Sequence, residues 1–221
     1  MDSIAPREGK SIVDDLVRVI QANAASLSEI DGAIGDGDHG INMNKGFTLC
    51  AERLAGKSFD LAEGLSTLGS VLLNEIGGAM GPLYGTFFRE MAKASKGREQ
   101  IDSVAFGAML EGAIAGVTAI GGARVGDKTL LDTLVPAREA YAAALRSGKS
   151  FHDALGELKE AAEKGKESTR GMVAKIGRAS RLGERSRGVL DAGASSCCLI
   201  LTSMAQSMQG LLAPHDRKAA T

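Results

Sequence analysis

The chain has 221 residues, of which 44% are apolar and 24% charged, and a formal net charge of −1. That length buries the core of one large domain or two small ones. The balanced charge argues against a broad basic surface for nucleic acid or anionic membrane, and three cysteines with two adjacent (Cys197, Cys198) are not a disulfide framework.

The first residues, MDSIAPREGK, carry no apolar signal segment, and no apolar run is expected to reach the ~18 residues of a membrane span. The expectation is one cytoplasmic domain over residues 1–221, with no nucleic-acid or membrane partner. Trp is absent, with only two Tyr and six Phe, so Leu, Ile, Val, Ala and Met must build the core. That composition favours closely spaced helices over aromatic-rich sheets.

Ile12, Leu16, Ile20, Ala24 and Leu27 recur at helical spacing and predict a first buried stripe. A glycine-rich loop follows, then a helix from about Asn42 to Leu54. Asp60 with Glu63 three residues on is a capping-box signature before Leu61, Leu65, Leu68, Leu72 and Ile76. GGAMGP breaks the chain, and Pro82 suits the first turn of a helix reaching about Ser95. Residues 101–119 predict another helix, whose Ala105, Ala108, Gly112 and Ala115 form a small-residue face for close approach of a neighbour. GGARVGDKT leads into a helix from about Lys128 to Leu145, which Pro136 should kink or divide. Ser150 caps a polar helix carrying Glu160 and Lys164 in the favourable i,i+4 order. A loop rich in Arg and Gly spans Ile176 to Gly188, and Asp191 opens a last helix with Cys197, Leu201, Met204 and Met208 inward.

No run of alternating β-branched residues predicts a strand. The expected fold is all-α, about eight antiparallel helices in an up-and-down closed barrel or bundle. Glycine-rich loops fall after the first, third, fifth and seventh helices. Alternate connections of such an arrangement lie at one end, so all four loops would surround a single site.

The first loop, EIDGAIGDGDHGINMN from Glu29 to Asn44, fits G-x-G-x-x-G at Gly35, Gly37 and Gly40. A dinucleotide fold would need a strand before it, and what precedes it is helical. A Walker A reading fails because the glycine required before each GKS falls at Ile4 and Ala143. An EF-hand counted from Asp36 places Phe47 where the bidentate Glu belongs. Asp31, Asp36 and Asp38 would repel a phosphate, since like charges ~4 Å apart cost roughly 4 kcal/mol at an effective dielectric of 20. A divalent cation reverses that sign, and Mg²⁺ characteristically joins one or two carboxylates to substrate phosphates. The loop therefore reads as a phosphate site that works through metal; the alternative is an acidic turn whose aspartates cap helices. His39 is either a phosphate contact or only a hydrogen-bond partner. His152 and His215 have no such neighbours and are expected at the surface.

The stretches IGDGDHGINMNKGF, IGGAMGPLYGTFF, GDKTLLD and GRASRLGERSRGVLDAGASS together resemble the nucleotide-binding L subunits of bacterial dihydroxyacetone kinases. The resemblance runs almost end to end and implies an eight-helix antiparallel barrel with ADP or ATP held at one end by two Mg²⁺ ions. It implies Asp31, Asp36 and Asp38 as metal ligands, and His39, Gly40, Ile41 and Asn42 as phosphate contacts. Ala79 and Met80 would form a second nucleotide loop. Gly121, Leu130, Arg178, Asp191, Ala192 and Gly193 would complete the pocket. Two positions depart from the family: Met80 stands where Ser is common, and Ala192 where Pro is common.

The resemblance further implies a phosphotransferase active only with a K subunit, which carries dihydroxyacetone or a related short ketose such as erythrulose on a His of its own. The phosphoryl donor is either ATP or a phosphoenolpyruvate-fed relay through an M subunit. No catalytic side chain is assigned on this chain. Two other readings use the same acids: a nucleotide-loaded regulator docking on a transcription factor, and a metal-dependent phosphohydrolase with His39 as its one available base.

Overall fold

The computed structural model describes residues 3–212; His215 lies outside them. The fold is all-α as expected, with helices α1 (Gly9–Ile34), α2 (His39–Leu54), α3 (Leu61–Glu75), α4 (Met80–Ser95), α5 (Ser103–Gly121), α6 (Leu131–Arg146), α7 (Phe151–Ser168) and α8 (Ala192–Leu212). Each helix packs on the next along the chain, and α8 also packs on α1 and α6. Three 3-10 segments, Pro6–Glu8, Thr169–Gly171 and Ala179–Ser186, lie in the connections. The sequence predicted no strand, yet β1 (Ser3–Ile4) pairs antiparallel with β2 (Ile101–Asp102), Ile4 opposite Ile101. Two residues per strand are too few for an alternating pattern to register.

The predicted stripes point inward. Ile12, Leu16, Ile20 and Leu27 of α1 are buried, as are Leu61, Leu65, Leu68, Leu72 and Ile76 around α3, and Cys197, Leu201, Met204 and Met208 of α8. The few aromatics lie at the centre, where Phe88 meets Phe47 and Phe87 edge-on at 5.8 and 4.9 Å between centroids. Such pairs add specificity beyond their buried area.

Several boundaries differ from expectation for identifiable reasons. The α2 helix begins at His39 rather than Asn42, and α6 begins at Leu131 rather than Lys128. Lys128 has φ of 63°, a left-handed conformation that no helix continues. Pro136 lies inside α6 instead of ending it. Its missing N–H frees the Asp132 carbonyl, which abuts Gly165 of α7 so closely that a Cβ there would collide with it. On α5, Gly112 and Gly116 are the residues that approach Glu90 of α4, while Ala115, assigned to that face from its spacing, is exposed. Contrary to expectation, α5 is long and apolar enough, by length and composition, to cross a membrane. Its Phe106, Met109, Leu110 and Val117 are nonetheless buried in this core, between α4 and α6.

Candidate metal and nucleotide site

Asp31 occupies the last turn of α1, Asp36 the connection, and Asp38 the residue before α2. One carboxylate oxygen from each lies within 4.8 Å of the others. Two glycines make this geometry available. Gly37, at φ 77°, turns the chain in a region that L-residues rarely adopt. Gly35 has no side chain because a Cβ would collide with the Asp31 carboxylate. Three carboxylates and no nitrogen or sulfur donor form a hard oxygen set, the chemistry of Mg²⁺ or Ca²⁺ rather than of zinc. Asp31 is half-buried and the other two are exposed, so the cluster opens to the surface. Arg178, an exposed residue of the 172–191 connection, forms an ion pair with Asp36.

The acids lie beside the start of α2, where the His39 N–H donates to Asp31 at 3.4 Å, and at the start of α6 the Leu131 N–H donates to Thr129 Oγ1 at 3.2 Å. Among the described residues, the positions preceding α2, α4 and α6 (Asp38, Ala79 and Leu130) give no side-chain cap. By contrast Asp60, Asp102 and Ser150 accept from the N–H three residues on, at the starts of α3, α5 and α7. Uncapped first-turn N–H groups, at the positive end of the helix dipole, favour an anion. The predicted phosphate contacts His39, Gly40 and Ile41 are the first three residues of α2, and Met80 is the first of α4.

The four glycine-rich connections meet at this end, and their contacts are polar. His39 Nε2 lies 2.8 Å from Ser196 Oγ, which lies 2.6 Å from the Tyr84 hydroxyl; that hydroxyl donates to the Gly193 carbonyl at 2.9 Å. This chain joins α2, α4 and α8. The buried ammonium of Lys128 donates to the carbonyls of Met172, Ser186 and Val189, joining the fifth connection to the seventh. Gly193 stands against Leu130, with an added Cβ 3.5 Å from the Leu130 nitrogen. Asp191 accepts from Ala194 N at 2.7 Å and so caps α8. Burial pushes the Asp191 carboxyl up to about 7, against the pull of the Ala194 N–H and Lys128.

The predicted residues therefore share one end, but not all in the expected posture. The His39 side chain is engaged by Ser196, and burial pushes its imidazole down to about 4 despite nearby Asp31; the ring is neutral near pH 7. Gly40 is buried against α1, where a Cβ would strike the Ala24 carbonyl. Its lack of a side chain is a packing requirement. Leu130, Met80 and Ala192 are buried, whereas Ile41 and Ala79 are exposed and Asn42, Gly121 and Gly193 lie between. Ser196, Tyr84, Lys128 and Asp132 escaped the sequence reading. Asp132, almost wholly buried, accepts from the N–H groups of Gly126 and Thr129 and shapes the fifth connection; its three-residue spacing from Thr129 was the available signal. Larger grooves lie elsewhere, about 680 Å³ between α1 and α8 and about 1010 Å³ along α3 and α4. The acid cluster is recognised by its donors, not by concavity.

A family model described as the DAK2 domain matches residues 33–206. The ADP-binding subunit DhaL of the PEP-dependent dihydroxyacetone kinase of Escherichia coli is 38% identical over 188 residues, 85% of this chain and 90% of the relative. The corresponding subunit of kinase 1 of Listeria innocua is 37% identical over 196 residues, 88% of this chain and 93% of the relative. Among solved structures, the dihydroxyacetone kinase from C. freundii in complex with AMP-PNP and Mg²⁺ superposes with a TM-score of 0.65 at 25% identity. That match covers 89% of this chain and 33% of the larger one. By sequence and by fold, this chain belongs to the DAK2 domain family, with the ADP-binding subunits of dihydroxyacetone kinases among its relatives.

Proposed function

We propose that this chain is the nucleotide-binding subunit of a dihydroxyacetone kinase, working in the cytoplasm with a separate K subunit that carries the ketose. The observation that carries this reading is the convergence of the Asp31, Asp36 and Asp38 carboxylates within 4.8 Å of one another, beside the start of α2, which Asp38 itself does not cap. Those three side chains would hold two Mg²⁺ ions, which neutralise charge between the acids and the phosphates of ADP or ATP. The first-turn N–H groups of α2 and α4 orient the phosphates, and Gly121, Leu130 and the Asp191–Gly193 turn bound the rest of the nucleotide. Arg178, already paired with Asp36, brings a fixed positive charge to the phosphate end. Phosphoryl transfer depends chiefly on such positioning and charge neutralisation, which suits a site without a nucleophile of its own. The helices form a closed up-and-down barrel in this reading, with the nucleotide across its odd-numbered connections.

The phosphohydrolase alternative needs a base at the acids. His39 is the candidate, and its ring is engaged by Ser196. The test is reconstitution. Purified chain with Mg²⁺, ATP and dihydroxyacetone should give no turnover; adding the K subunit should start it, with ATP or with a phosphoenolpyruvate-fed M subunit as donor. Parallel assays with erythrulose identify the ketose. Turnover by the chain alone would refute the division of labour, and tight nucleotide binding without turnover beside K would favour the regulator.

A further inference from the structure

We infer that Lys128 is a positioning residue, whose ammonium clamps both ends of the arginine-rich segment 172–189 to the start of α6 and so sets where Arg178 stands beside Asp36. Lys128 is 2% exposed, and its Nζ donates to Met172 O at 3.2 Å, Ser186 O at 2.6 Å and Val189 O at 2.6 Å. The first carbonyl lies at the entry of the segment and the other two at its exit. An ammonium has three donors, and all three are used. Nothing is left over for a ligand.

The clamp has a backbone counterpart. The Lys175 N–H donates to the Asp127 carbonyl at 3.1 Å, and the Lys175 ammonium pairs with the Asp127 carboxylate at 3.3 Å. Within the segment, the Ala174 N–H donates to Ser186 Oγ and the Gly188 N–H to the Arg170 carbonyl, closing the neck. The neck is therefore tied to itself, and to the rest of the protein at residues 127 and 128, while beyond the neck the Arg178–Asp36 pair and packing of Ala179–Ser186 on α1 hold the segment. Between these ties the chain projects the exposed residues Arg178, Arg181 and Arg185. Lys128 holds this place at φ 63°, a backbone region costly for any residue with a Cβ. Burial lowers its pKa, the nearby Asp191 opposes that most, and the repulsion of Arg187 and Arg170 adds to the lowering. Burying a charge is costly unless its hydrogen bonds are complete, as they are here. Truncating the side chain would leave three inward carbonyls without a donor.

The test combines Lys128→Met, which keeps the length and removes the donors, with Arg178→Ala. Trypsin should cut Lys128→Met within 172–189 about tenfold faster than the parent chain, while circular dichroism shows the helices intact. The affinity for ADP with Mg²⁺ should fall about tenfold in Lys128→Met, yet change by less than about twofold when the same substitution is added to Arg178→Ala, because the two act as a unit. A global loss of stability would instead weaken binding by the same factor in both backgrounds, which would overturn the inference. So would an unchanged digestion rate. If Lys128→Met does not fold, hydrogen exchange on the parent chain decides: unprotected Ala174 and Gly188 amides would rule out the clamp. The affinity arm rests on the proposed function and the digestion arm does not. A chain that binds no nucleotide but shows the faster cleavage would sink that function and leave the clamp standing.

Discussion

The two ends of this helical protein begin their helices differently. At one end Asp60, Asp102 and Ser150 cap α3, α5 and α7, and Glu63 returns the bond to the Asp60 N–H at 3.0 Å. At the other, α2, α4 and α6 begin without a capping side chain from the preceding residue, while Asp191 caps α8. Their surroundings contain three clustered acids and the paired Arg178. The first end caps three of its helix starts with its own side chains, α1 beginning without one, and contributes stability. The second gathers like charges beside the start of α2, an arrangement that costs stability unless a cation binds. On the proposed function, nucleotide binding and most of the helix capping lie at opposite ends of the same helices.

Three substitutions break or sharpen that contrast. Asp36→Ala should have the largest effect. Loss of a metal ligand should weaken ADP binding at millimolar Mg²⁺ by at least the ~100-fold that outer-shell partners of metals reach, with the helical circular dichroism unchanged. Isothermal titration showing the parent affinity would erase the assigned role of this end. Gly40→Ala comes next, since its Cβ would meet the Ala24 carbonyl and Ser28 on α1. Overpacking of this kind costs about 1–3 kcal/mol, read as a lower urea midpoint. Here both stability and nucleotide binding should suffer, because α2 would carry the proposed phosphate contacts. Asp60→Ala should have the smallest effect: loss of the cap costs about 1 kcal/mol, and thermal unfolding should fall by ~2–4 °C with nucleotide affinity unmoved. A change in affinity there would show the two ends to be coupled.

Much of the fold was legible because helical spacing is a local signal. The leucine stripe of α3 and its Asp60 box occur within a few residues of one another, and both appear in the structure as read. The acid cluster was equally legible, since Asp31, Asp36 and Asp38 span a single turn and its connection. Lys128 was not. Spacing placed it in the first turn of a helix, whereas its partners Met172, Ser186 and Val189 lie 44 to 61 residues away. Ser196 and Tyr84 were missed for the same reason, being 112 residues apart in the chain and 2.6 Å apart in space. That Gly40 lets α2 approach α1 was likewise not legible, because the Ala24 carbonyl it faces lies on another helix.

By itself, the sequence determined where the helices run, which faces they bury, and that three acids stand close enough for a divalent cation. Each depends on backbone sterics and side-chain spacing over a turn or two. Only the tertiary structure decided that His39 turns to Ser196, that Lys128 fastens a distant loop, and which starts remain uncapped. Those outcomes depend on which surfaces meet when the helices pack, and pairings across a hundred residues leave no periodic trace in the chain.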